Sequence, residues 1–304
     1  MSQRSADRSE TGTPDPASAR GAEDRRLPLS EPLYKRVFHE IGNDDVPGQA
    51  AKVAFFMFTS LPPALLVLFG LTGYFGGEAV GEYITSRIQS AMPGSADDPG
   101  TAAGFLASFV DQVVSQTAPG PFSIGLIVGI WTGSTVFVAL ADSLNKAYDS
   151  TEDRSWLRRR ALAIGVMIAF LLLFVAGSLV LIIGPQIAGA LQLGGVANLA
   201  WSILQWPLAF LLVVGAFYLV YYVLPNRDQS SLAKVLLKSS AIAAALWLIV
   251  TIGFRFYVSN FGSYGETYGF VGAILVLLLW MYLTAMVVLV GGEISSELER
   301  EAGG

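Results

Sequence analysis

The chain has 304 residues, of which 53% are hydrophobic and only 14% are charged, whereas a soluble domain averages about 25% charged residues. This composition, with a mean hydropathy of +0.54, excludes an ordinary soluble enzyme. Cysteine is absent and histidine occurs once, at His39, which excludes thiol chemistry and metal sites built from several histidines of one chain. The net charge of −5 argues against a nucleic-acid partner.

The first 48 residues are predicted to lie outside the membrane core. Residues 1–30 contain no apolar run, which predicts a disordered cytoplasmic tail. Residues 31–48 are predicted to form an amphipathic interfacial helix and a linker. The apolar residues that recur there at helical spacing are Leu33, Tyr34, Val37, Phe38 and Ile41. His39 falls on the polar face, where we expect it to be solvated.

Residues 49–299 are predicted to form a six-helix transmembrane domain, because a spanning helix needs about 20 apolar residues and six such segments follow one another. The predicted spans are 49–70, 121–141, 161–184, 201–224, 237–258 and 269–292. The long connection 71–120 carries two weaker apolar stripes and is predicted to contain amphipathic helices. Residues 300–304 form a short cytoplasmic end. The predicted fold class is therefore an all-α, polytopic membrane protein.

Lysine and arginine are concentrated on one side of this arrangement. Seven precede the first span, five lie between the second and third spans, and Arg227 and Lys234 precede the fifth, whereas the alternate loops contain only Arg87. Because basic loops stay in the cytoplasm, both termini are predicted to be cytoplasmic and the 71–120 connection is predicted to lie outside.

Polar residues within or beside the predicted spans define a candidate substrate path. Its members are Ser60, Pro62, Pro63, Thr132, Thr135, Arg255 and Glu266. The two prolines interrupt the hydrogen-bond ladder of the first span, which is typical either of a packed kink or of a gate near the bilayer centre. The arginine and glutamate flank one outer turn. They form either an ion pair that holds the hairpin together or a cationic site for an anionic head group.

A second polar group is predicted at the inner ends of the second and sixth spans. It comprises Asp142, Asn145, Lys146 and Glu293. Its carboxylates fit either a proton relay or interfacial residues that face water, and we favour the second interpretation. The basic run Arg158–Arg160 is first a topology signal and also suits anionic lipid.

Small residues four apart in the second span indicate close helix packing. Gly125, Gly129 and Gly133 fall on one face of that helix, and such a face lets two helices approach closely and gain dispersion contacts. We interpret these glycines as packing residues.

Several separated motifs resemble the YihY/BrkB family of bacterial inner-membrane proteins. They are 50–56, 59–63, 144–148, 224–226, 268–269, 280–282 and 291–293, and the resemblance covers about residues 33–299. That family usually has Gly-Ala-Glu where this chain has Gly291, Gly292 and Glu293. The resemblance implies six spans with both ends inside and a location in the bacterial inner membrane. Some relatives are described as virulence or envelope factors, some are thought to move lipids, and some have carried a ribonuclease label.

The resulting functional hypothesis is a transporter or scramblase of an amphiphilic, anionic envelope lipid. The alternative is a structural or assembly factor of the cell envelope without transport activity. No cofactor is expected, and we expect the protein not to be an enzyme, because the spans contain no nucleophile paired with a base or metal site. Expected partners are membrane lipids, with a homo-oligomer or an envelope protein left open.

Overall fold

The computed structural model describes residues 26–64, 119–190, 194–227, 233–261 and 264–303. These residues are helical apart from short connections, and no strand occurs among them. In chain order the helices are α1 (Leu33–Asn43), α2 (46–64), α3 (Pro119–Ala147), α4 (Trp156–Ala190), α5 (Gly194–Val223), α6 (Ala233–Phe261) and α7 (Tyr264–Gly303).

Five helices are long and apolar enough to cross a membrane: Leu126–Ala147, Trp156–Gly177, Leu199–Val223, Ala233–Val258 and Ile274–Gly303. They correspond to the second to sixth predicted spans, and the all-helical, multi-pass prediction is confirmed to that extent. The predicted first span, 49–70, is described only to residue 64, and that part is helical. The count of six spans and the orientation of the termini stay predictions. The predicted helices of 71–120 and the tail before residue 26 lie outside the described residues.

The turn between α1 and α2 is set by an aspartate. Asp45 adopts a positive φ of 51°, and its carboxylate accepts a hydrogen bond from the Gly48 amide at 3.3 Å. This bond satisfies one of the free N–H groups at the start of α2. A side chain at Gly48 would collide with that carboxylate, so the glycine is required for the cap.

The helices pack in chain order, with α7 as the closing element. Neighbours α3 and α4, α4 and α5, α5 and α6, and α6 and α7 contact each other, and α7 also packs against α1, α3 and α5. The core is concentrated at the end of the bundle where α3 and α5 finish, around Leu144, Tyr221, Leu224 and Leu289. We call this region the charged end, because the basic loops that predict the cytoplasmic side lie there.

Helix α7 is longer than a bilayer requires. Its 40 residues extend for about 60 Å at 1.5 Å per residue, whereas the hydrocarbon core is about 30 Å thick. Its last turns, which carry Glu297 and Glu301, are charged rather than apolar, and α1 packs against this charged projection at the charged end. Elsewhere the outer surface of the bundle exposes large apolar side chains such as Leu172, Phe174 and Ile252, as expected for helices that face lipid.

Candidate functional site

A buried ionic network joins the N-terminal segment to the projecting end of α7. The carboxylate of Glu297 is fully buried and lies 3.2 Å from Nη1 of Arg26 and 3.3 Å from Nη1 of Arg36. Arg36 is itself fully buried and also pairs with Glu301. Nη1 of Arg300 lies 3.6 Å from the same Glu297 carboxylate. One carboxylate thus contacts cations from the N-terminal segment, from α1 and from α7 itself.

Arg26 extends the network to the loop between α3 and α4. Its guanidinium pairs with Asp149, and Nη2 donates to the Ala147 carbonyl at 3.1 Å. The predicted disordered tail was placed as far as residue 30 and is wrong for its last residues. The guanidinium of Arg26 is nearly buried, and Arg300 donates to the Leu27 carbonyl at 3.0 Å. A charged side chain that finds several partners offsets the entropy of ordering its segment.

The buried and exposed faces of helix α1 differ from those that the sequence predicted. Arg36 and Glu40, assigned to the water-facing side, are buried, because this side packs on the charged projection of α7. Tyr34 and Phe38 are instead strongly exposed, at 70% and 78%. Their exposure is compatible with the predicted interfacial position, which stays a prediction. His39 is partly buried.

A pair of carboxyl groups lies beside the network. Asp44, in the turn after α1, lies beside Glu293 of α7, and both carboxylate oxygens of Glu293 are buried without a hydrogen-bond partner among the described residues. Glu293 is 1% exposed, so the expectation that it faces water is wrong. The reason is that α1 and its turn cover this part of α7. Two carboxylates this close repel each other in a buried environment, which favours a state in which one of the pair carries a proton.

Asp44 is the member of this pair that lies outside the apolar helices, and its proton affinity is altered. Burial raises the pKa of Asp44 from 3.8 to about 6. The negative charges of Asp149 and Glu40 raise the pKa further, whereas the interaction with the Glu293 side chain and the positive charge of Arg26 oppose the increase. Asp44 therefore takes up a proton in the folded protein at a pH where it is ionised in the unfolded chain.

We expect the stability of the protein to depend on this proton. Between pH 3.8 and about 6 the folded state binds more protons at Asp44 than the unfolded state, so this contribution is present at low pH and is lost as the pH rises through 6. Asp44→Asn should remove this dependence and raise the free energy of unfolding at pH 7.5 by about 1–2 kcal/mol, after allowing for solvent screening. The free energy of unfolding of the wild type and of Asp44→Asn is measured in detergent micelles at pH 5 and at pH 7.5. An equal pH dependence in both proteins would contradict it.

Asn145 connects the α3–α4 loop to the end of α5. Its Oδ1 accepts from the Asn226 amide at 2.7 Å, and its Nδ2 donates to Glu152 at 3.0 Å. Glu152 also accepts two bonds of 2.7 Å from Arg154, and this pairing lowers the pKa of Glu152. Asn145 is buried, and every polar group of its side chain is used within the protein. Lys146 is exposed.

The remaining member of the predicted inner site, Asp142, belongs to a different feature. It pairs with Arg159 of α4 and lies 3.4 Å from Nζ of Lys52 on α2. About two turns toward the start of α3, Nη1 of Arg160 donates to Thr135 at 3.2 Å. The Arg160 guanidinium also stacks over the Trp131 ring, 3.8 Å from its centre. Polar and charged groups thus follow the partly exposed face of α3 where it meets α4. We call this set, with Thr132, the α3 polar stripe.

The other members of the predicted path occupy separate places. Ser60 donates to the Met57 carbonyl at 2.8 Å within α2, and the adjacent Pro62 is exposed while Pro63 is partly buried. Arg255 is exposed on α6, which packs against α5 and α7 rather than beside the stripe. Glu266 lies in the first turns of α7, where its side chain is outside the described residues. Its pairing with Arg255 stays a prediction.

Of the three glycines predicted to pack against another helix, Gly133 lies against α4. A Cβ atom there would lie 2.9 Å from the sulfur of Met167 on α4, so the helices approach closely at this point. The carbonyl of Gly129 accepts a hydrogen bond from Thr132 at 3.3 Å. The surroundings of Gly125 lie outside the described residues.

Together these features define a multi-pass helical membrane protein in which one end is closed by buried ion pairs between the N-terminal segment and the last helix. The family described as virulence factor BrkB matches residues 37–304, and the chain belongs to that family.

Similar proteins come from several bacteria. The ribonuclease-like protein YfkH of Bacillus subtilis is 29% identical over 88% of this chain and 95% of its own length. UPF0761 membrane proteins of Tolumonas auensis and Vibrio campbellii are 28% and 29% identical, over 88% and 90% of this chain and 83% and 85% of their own lengths. No solved structure matches the chain.

The sequence analysis missed the residues that form the ionic network, above all Arg26, Arg36, Asp44 and Glu297. One pattern was available: Glu297 and Glu301 are spaced four apart beyond the apolar part of α7, and they share a helix face. That face needs cationic partners when it is covered.

Proposed function

We propose that this protein is a transporter or scramblase for an amphiphilic, anionic envelope lipid, located in the bacterial inner membrane with both termini in the cytoplasm. The observation that supports this proposal best is the α3 polar stripe. Thr132 and Asp142 are separated by ten residues of one helix, or about 15 Å along its axis. That distance is about half of the hydrocarbon core.

The stripe has the chemistry that a lipid head group needs in an apolar layer. The hydroxyl of Thr132 donates to the Val128 carbonyl at 2.8 Å and that of Thr135 to the Trp131 carbonyl at 3.0 Å, so each oxygen can accept from a hydroxyl of the head group but has no proton left for its phosphate. Arg160 supplies a cation that a phosphate would pair with. A head group would follow this face while its acyl chains stay among the exposed apolar side chains of the bundle.

The energy source of such movement is left open by the proposal. The sequence contains no phosphate-binding loop of the Gly-x-x-x-x-Gly-Lys-Ser/Thr type. We therefore propose that movement is passive, ion-coupled or driven by a partner, rather than by nucleotide hydrolysis within this chain.

Lipid translocation in proteoliposomes tests the proposal. Arg160→Gln is expected to slow the movement of fluorescent phosphatidylglycerol by about tenfold or more, since a charge-assisted contact with phosphate contributes about 1.5–3 kcal/mol. Thr135→Val should slow it less, because it removes only the acceptor that positions Arg160. Thr251→Val on α6 is the matched control and should not differ from the wild type. Equal rates in empty vesicles and in vesicles with the wild-type protein would overturn the proposal.

The same translocation assay tests whether Arg255 lies on the lipid path. If Arg255→Ala also slows translocation, the cationic-site interpretation holds and the path includes α6. If Arg255→Ala moves lipid at the wild-type rate while Arg160→Gln does not, Arg255 is an interfacial anchor and the path follows α3.

The alternative function is an envelope assembly factor without transport. It would gain support if the wild type moved neither anionic nor zwitterionic lipid and crosslinking in cells recovered a stable complex with another envelope protein.

The name of the Bacillus relative raises ribonuclease activity as a third possibility. We propose that this chain is not an enzyme, a view supported by its single histidine. RNA that stays intact with the purified protein and divalent cations would agree with it, and cleavage lost in Glu293→Gln would contradict it.

A further inference from the structure

A groove runs between α4 and α5 at the charged end, apart from the α3 polar stripe. It has a volume of about 320 Å³ and is lined by apolar side chains, with one arginine among them. Its lining residues include Arg158, Ala161, Leu162, Gly165, Leu219 and Val223. The groove exists because Ala161 and Gly165 lie one turn apart on α4 and leave room beside the larger residues of α5. A Cβ atom at Gly165 would meet nothing within 4 Å.

Arg158 differs from the two arginines that follow it. Arg159 pairs with Asp142, and Arg160 bonds to Thr135 and stacks on Trp131. Arg158 is exposed, and within the described part of the chain its guanidinium makes no ion pair or hydrogen bond. An arginine at the edge of the apolar layer is stabilised when it has an anionic partner, and here none is provided by the described protein residues.

We propose that the α4–α5 groove binds one anionic glycerophospholipid, with its phosphate at Arg158 and part of an acyl chain between Gly165 and Leu219. The charge of Arg158 complements a phosphate, and the apolar lining below it suits a hydrocarbon chain but not a free anion. Anionic lipids are enriched in the cytoplasmic leaflet, which is the leaflet that the basic loops predict for this end. The site stands whether or not the protein moves lipid, because it requires only binding.

Spin-labelled lipids measure this binding directly. We would reconstitute the full chain in phosphatidylcholine vesicles that contain spin-labelled phosphatidylglycerol or spin-labelled phosphatidylcholine, and record the motionally restricted fraction of each. Arg158→Gln is expected to reduce the preference for phosphatidylglycerol about fivefold, the effect of one basic residue near the surface. Lys146→Gln removes an exposed cation of α3, also at the charged end, and should change the preference for phosphatidylglycerol much less.

A second variant tests the groove rather than the charge. Gly165→Leu places a side chain in the groove, and its Cβ atom would meet nothing within 4 Å, so the fold is expected to persist while the restricted fraction falls for both lipids. Gly215→Leu on α5 is the matched control, because a Cβ atom there also meets nothing within 4 Å. Equal losses in Arg158→Gln and Lys146→Gln would overturn the proposal in favour of diffuse surface charge, and so would an unchanged restricted fraction in Gly165→Leu. Neither result bears on translocation, which is measured separately.

Discussion

Replacing Glu297 with alanine is expected to lower the free energy of unfolding by about 3–5 kcal/mol, the largest electrostatic effect in the described structure. The reason is the number of cations that depend on this carboxylate. Arg26 and Arg36 contact it at 3.2 and 3.3 Å, and both guanidinium groups are almost inaccessible to solvent. Without it, Arg36 would retain Glu301 and Arg26 would retain Asp149, but both of those carboxylates are exposed to solvent, so the two buried cations would lose their only buried counter-ion among the described residues.

The measurement is unfolding of the purified protein in detergent micelles by added sodium dodecyl sulfate, followed by tryptophan fluorescence. Glu31→Gln is the matched control, because Glu31 pairs with Lys35 at 3.1 Å on an exposed surface and such pairs contribute at most about 1 kcal/mol. Glu297→Gln should lie between the two, since the amide keeps one acceptor but not the charge. A loss no greater than that of Glu31→Gln would mean that the network contributes little to stability.

The coupling within the network can be separated from the damage of each substitution. Arg36→Met removes one buried cation and keeps an apolar side chain of similar length. In the double variant with Glu297→Ala, the loss should be smaller than the sum of the two single losses, because the second change removes a charge that the first left unpaired. Additive losses would show that the two residues act independently.

Most of the fold follows from local sequence, whereas the ionic network does not. Hydropathy identified the segments that became α3 to α7 because a spanning helix is defined by the length of one apolar run. The contacts of Arg26 join residues up to 271 positions apart, and no local pattern records such a pairing. The sequence therefore predicted a disordered tail through residue 30, although Arg26 contacts Glu297.

The candidate site shows the same division. Glu293 was expected to face water because it lies near a predicted helix end. The structure buries it because α1 and the turn after it cover this part of α7. Thr135 and Asp142 lie on one face of α3 at helical spacing, so their alignment was predictable. The approach of Arg159 and Arg160 from α4 required the tertiary structure.

Gly291→Ala is expected to destabilise the protein far more than Gly292→Ala, although the two glycines are adjacent in α7. A methyl group at Gly291 would collide with the hydroxyl of Tyr221 and lie 2.6 Å from Cβ of Ala243. Tyr221 is fully buried, and its hydroxyl donates to the Val288 carbonyl at 2.9 Å. Overpacking of this kind costs about 1–3 kcal/mol, and displacement of the tyrosine adds the loss of a buried hydrogen bond, about 1 kcal/mol.

At Gly292 the collision is with a group that can move. The nearest atom to an added methyl group is Cδ2 of Leu144, at 2.5 Å, the end of a flexible side chain. Replacing glycine by alanine within a helix contributes about 1 kcal/mol, which offsets part of the cost of shifting Leu144. The same detergent unfolding assay applies, with Gly253→Ala as the control because its Cβ would meet nothing within 4 Å. Equal stability of the Gly291 and Gly292 variants would show that the contact between α5 and α7 at Tyr221 is looser than the structure has it.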